Sequence, residues 1–69
     1  MMPAVKTIRL TGFLTRRWAE EIEGRPFRRQ VRKQAEELAS DGASVEVIDG
    51  DGDRIDYLCG VDEQRELLR

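Results

Sequence analysis

Three groups of residues in this 69-residue chain have the types that chemistry uses. The first is acidic: Asp49, Asp51 and Asp53 alternate with Gly50 and Gly52. That spacing matches the first three ligand positions of an EF-hand calcium loop. The match then fails, because Arg54 stands where the loop needs glycine and Gly60 where it needs a bidentate glutamate. The two Asp-Gly steps instead predict a solvated hairpin turn. The second group is nucleophilic: Cys59, Ser40 and Ser44. There is no histidine to act as their base. Only Arg54 is expected anywhere near Cys59, so an activated thiolate is not expected. One cysteine and no histidine also exclude an internal disulfide and the usual zinc site. No glycine-rich phosphate loop is present. The expectation is a non-enzymatic protein with no cofactor.

The third group is basic. Arg25, Arg28, Arg29, Arg32 and Lys33 fall within nine residues that contain no acid. Roughly five to seven phosphate contacts suffice for salt-dependent nucleic-acid binding. Trp18 has the chemistry to stack on a base, but Leu14 and Ile22, four residues to either side, assign it to a core stripe. The overall balance opposes a nucleic-acid partner. The net charge is −2 and the pI 5.1, whereas basic footprints accompany a high pI. The signs are unevenly placed. Residues 1–33 hold nine bases against three acids, +6, and residues 34–69 three bases against eleven acids, −8. The arginines are therefore expected to meet the protein's own acidic half or a second subunit, with nucleic acid, and after it an acidic protein, as the alternative partners.

These groups must be positioned by a few short elements. Residues 5–11 alternate β-branched and charged types and predict a strand, with Ile8 and Leu10 on one face and Lys6 interrupting it. Thr15 is a candidate helix cap. Leu14, Trp18 and Ile22 form a helical stripe, and Gly24 is the expected stop. Pro26 suits a first helical turn. Phe27, Val31, Ala35 and Leu38 predict a long helix over about 26–41. Residues 44–49 and 54–59 predict two strands, and 61–69 a short helix capped by Asp62. The order β-α-α-β-β-α implies one α+β domain over residues 1–69, with about three strands and the long helix on one face.

The hairpin register decides which side chains share the core. A two-residue turn pairs Val47 with Asp56 and Glu46 with Tyr57. An odd-length loop pairs Val47 with Ile55 and Val45 with Tyr57, giving a clean apolar face. Burying those side chains at about 1.5–3 kcal/mol each outweighs one like-charge pair at about 0.2–1 kcal/mol, so the odd-length register is expected. Ile48 and Leu58 would then face away from the core. With Leu67 and Leu68 they are the candidate oligomer contact.

Size supports that reading. One core of this size supplies only about 3–5 kcal/mol, and neither a disulfide nor zinc reinforces it. A homodimer is the expected device. No apolar run long enough to span a membrane occurs, and Met1–Phe13 lacks the apolar stretch of a secretory signal. With a lone thiol, this favours the cytoplasm. Arginine outnumbers lysine 10 to 2, which suggests a GC-rich, bacterial coding sequence.

Overall fold

The computed structural model describes residues 4–68. Seven elements follow the predicted order. Strand β1 (Val5–Arg9) is followed by helices α1 (Phe13–Ala19) and α2 (Gly24–Leu38). A single 3-10 turn over Ala39–Asp41 extends α2. Strands β2 (Ser44–Ile48) and β3 (Arg54–Leu58) and helix α3 (Val61–Leu67) complete the chain. The three strands form one sheet in the order β1-β2-β3, with β1 parallel and β3 antiparallel to β2. This is an α+β architecture, with the two consecutive helices crossing between the parallel strands.

Helix α2 forms the covering layer because its apolar residues recur every three to four positions. Phe27 and Val31 join Leu10 and Val47 in the buried core, with Ile8, Leu14, Trp18 and Ile55 packed at its margin. Trp18 thus turns inward, partly buried against the core. Lys6, the break in the strand pattern, lies opposite Val45 on the covered face. Its ammonium donates to the Leu38 carbonyl at 2.9 Å and pairs with Asp41 at 2.7 Å. A cation at a helix C-terminus is favourable there. The Lys6 contact, with the Ala43 N–H, holds the Asp41 carboxyl below its ordinary range.

Five local expectations are corrected. Asp62 does not cap α3; Gly60 stands at the cap and Asp62 lies within the first turn. Thr15 does not cap α1; it lies inside the helix, and its hydroxyl donates to the Leu10 carbonyl at 3.0 Å. Gly24 does not stop α1, which ends at Ala19, but opens α2. Ile22 leaves the stripe because the helix has already ended, and it is 83% exposed. The hairpin register also differs. The loop is odd-length, closed by Asp49 N–H to Asp53 C=O at 2.9 Å, with an inner turn from Gly52 N–H to Asp49 C=O at 3.1 Å. Gly52 sits at φ +88°, a conformation that favours glycine. A bulge at Val47/Ile48 then shifts the ladder by one residue. Val47 opposes Asp56, and Val45 opposes Leu58. The bulge admits Ile55 to the core while Asp56 reaches α2, so the apolar face survives a register that simple pairing disfavours.

Candidate functional site

The five-residue basic face is divided by the fold. Arg28 bends back onto α1: its Nε donates to the Trp18 carbonyl at 2.6 Å and its Nη2 to the Glu20 carbonyl at 2.5 Å. These carbonyls end α1 without helical partners, so Arg28 satisfies them. Arg32 pairs with Asp56 of β3 at 3.3 Å. Arg17 leans over the Phe27 ring at 4.9 Å. Arg25, Arg29 and Lys33 remain exposed. Their four-residue spacing forms one stripe along α2, and they make no ion pair among the described residues.

The four apolar candidates are also separated. Leu58 opposes the fully buried Val45 and so lies on the helix-covered side, not away from the core. Ile48 does turn to the other side, but it is only 8% exposed. Its register neighbours are Arg9 and Arg54, whose long stems can cover it. Neither residue offers an open apolar face. Leu67 and Leu68 do, at 74% and 86% exposure.

The uncovered sheet face is polar and internally paired. Thr7 donates to Glu46 at 3.0 Å, and Arg54 reaches the same carboxylate at 2.8 Å while lying 4.4 Å over the Tyr57 ring. The Arg54 contact, then Thr7, lowers the Glu46 pKa. Away from the end where α3 bonds to Ser44 and Tyr57, such a face is stable in water without a second layer.

One cluster has no counterpart in the sequence-based expectations. Glu63, in the first turn of α3, accepts from the Ser44 hydroxyl at 2.5 Å, from the Tyr57 hydroxyl, and from the Cys59 thiol at 3.3 Å. The Ser44 oxygen in turn accepts the Gly60 N–H at 2.9 Å. Tyr57 in β3 and Cys59 just after it are two residues apart, a spacing that puts extended residues on one face, but nothing in the linear order places Ser44 or Glu63 beside them. Hydrogen bonds from Ser44, then Tyr57 and Cys59, hold the Glu63 carboxyl below its ordinary range. Glu63 raises the Tyr57 pKa, while burial and then Glu63 raise that of Cys59. Both protons are therefore retained, the opposite of what a nucleophile needs. Ser44 is fully buried. The arrangement locks α3 to β2 and β3.

The acidic hairpin uses its carboxylate internally. Asp49 Oδ1 accepts the N–H groups of Asp51 at 2.9 Å and Asp53 at 3.0 Å. Among the described residues, no group of three His, Cys, Asp or Glu side chains is placed to hold a metal ion. No described helix is long and apolar enough to cross a membrane.

The fold thus defines a small α+β domain with a polar open sheet face. The chain matches no family model, no curated protein and no solved structure.

Proposed function

We propose that this protein is a non-enzymatic interaction domain that works by self-association, as a homodimer. The exposed leucine pair of α3 carries this reading. Leu67 and Leu68 stand almost fully in solvent on a seven-residue helix, a length that is marginal in water by itself. Burying each leucine is worth about 1.5–3 kcal/mol, a large increment for a core supplying about 3–5 kcal/mol. Sedimentation equilibrium across the micromolar range tests it. The mass should rise from 7.9 kDa towards twice that value. A mass that stays at 7.9 kDa throughout overturns the reading.

The open stripe Arg25–Arg29–Lys33 favours one alternative, a nucleic-acid-binding regulatory protein. Three phosphate contacts predict a slope of log affinity against log salt of about −3 on duplex DNA. Arg25→Glu with Arg29→Glu should abolish retention on an oligonucleotide column. No retention of the wild type at low salt removes this alternative.

A further inference from the structure

The two helical layers are attached to the sheet in unlike ways. Helix α2 buries Phe27, Val31 and Ala35 against one face. Helix α3 bonds to Ser44 and Tyr57 at the end of the other face and buries none of its residues. Within Val61–Leu67 only Glu63 is even partly buried. A helix of seven residues does not persist in water unaided, so polar contacts must hold it. We propose that α3 is a latch held shut by the Glu63 carboxylate, which opens as a unit when that charge is lost while the sheet and α2 stay folded. The latch acts within one chain and does not rest on self-association.

The geometry makes the charge decisive. The Ser44 hydroxyl, the Tyr57 hydroxyl and the Cys59 thiol all donate to one oxygen, Glu63 Oε2. Protonation gives one acceptor site to the carboxyl's own hydrogen and removes the charge that strengthens the remaining bonds. The other attachments are neutral. Asp62 N–H donates to the Gly42 carbonyl at 3.1 Å, and the Gln64 side chain to the Cys59 carbonyl at 3.2 Å. The chain before α3 is held separately. A Cβ on Gly60 would collide with the Gly42 and Ala43 backbone, and the Gly60 N–H donates to Ser44 at 2.9 Å. Helix α3 therefore leaves a fixed point. The core of Leu10, Phe27, Val31 and Val47 lies on the α2 side of the sheet, and segments with little buried apolar surface open below the global unfolding energy. Opening uncovers the Ser44 hydroxyl, which is fully buried when the latch is shut.

The charged groups around Glu63 come from every neighbouring segment. On β2, Glu46 is engaged by Thr7 and Arg54. On β3, Arg54 attracts the Glu63 carboxylate weakly, and Tyr57 keeps its proton in acid, as does Cys59 just after the strand. On β1, Val5 opposes Ser44 and carries no charge. At the turn before β2, Gly42 faces the Asp62 carboxylate. Glu46 and Asp62 also titrate in acid, so substitution isolates the charge of Glu63 and pH alone does not.

Amide hydrogen exchange on the full chain tests the latch. The Gln64 and Leu68 amides bond to the Gly60 and Gln64 carbonyls and report on α3; Val31 and Val47 report on the core. Near neutral pH, Glu63→Gln should lower protection at Gln64 and Leu68 about tenfold or more and leave Val31 and Val47 unchanged. Acidifying the wild type through the lowered pKa of Glu63 should reproduce that loss, and the same step should change α3 much less in the variant. Wild-type protection of α3 in Glu63→Gln overturns the latch. Protection lost equally from α3 and the core, in the variant or in acid, also overturns it, because α3 then unfolds only with the whole domain. An α3 without protection in the wild type near neutral pH overturns it as well, since nothing is then held shut.

Discussion

At the scale of single residues, Glu63 organises more of the molecule than any other charged side chain. It gathers donors from β2, from β3 and from Cys59, just after β3, and charge-assisted hydrogen bonds of this kind are the strong ones. The sign of its pH effect follows from its lowered pKa. Its contribution to stability is complete above the ordinary value near 4.5 and is lost as pH falls through the lower value of the folded state. Cys59 behaves oppositely. Its raised pKa favours the thiol, so that contribution is lost only as pH rises through the raised value. Glu63→Gln removes one of the two causes of that rise and leaves burial, the larger. Alkylation of Cys59 by iodoacetamide should therefore begin at a lower pH in the variant than in the wild type. Identical pH profiles would show that burial alone controls the thiol.

At the scale of elements, the elbow between α1 and α2 is set by close approach. A Cβ on Gly24 would collide with the Arg17 carbonyl oxygen and lie 3.2 Å from that of Trp18. Two effects compete in Gly24→Ala. Helix propensity favours alanine by about 1 kcal/mol, whereas overpacking costs about 1–3 kcal/mol. The neighbours are backbone atoms that cannot swing aside, so the clash wins. The variant should lose about 1–2 kcal/mol in urea unfolding, and a gain in stability would refute the tight elbow. The same elbow takes Ile22 out of the stripe that its spacing predicts. The four-residue spacing from Leu14 through Trp18 continues into Ile22 in sequence, but the chain turns after Ala19. Periodicity reports a helix only while the helix lasts. The hairpin shows a similar limit. Cross-strand apolar pairing pointed to an odd-length loop, and the loop is odd-length, although the pairs themselves differ. It could not show the bulge that resets the register and carries Leu58 to the covered face.

At the scale of the whole molecule, opposite charges within −2 are divided between pairing within the chain and open surface. Lys6–Asp41 and Arg32–Asp56 join the basic half to the acidic half. Such exposed pairs contribute only about 0.2–1 kcal/mol each, so they place the layers more than they hold them. The shape leaves surface to spare. The chain exposes 5260 Å², against about 4400 Å² for a compact monomer of its mass. By itself the sequence determined the element order, the α+β class, the apolar face of α2 and the inward packing of Trp18. Each of these follows from periodicity and turn chemistry, which act over a few neighbours. Only the tertiary structure decided that Arg28 and Arg32 are occupied while Arg25, Arg29 and Lys33 are not. It alone buried Ile48 and left Leu67 and Leu68 open, and it alone assembled Ser44, Tyr57, Cys59 and Glu63. Those outcomes depend on which distant segments the sheet and the elbow bring within hydrogen-bond reach, and no local pattern encodes that.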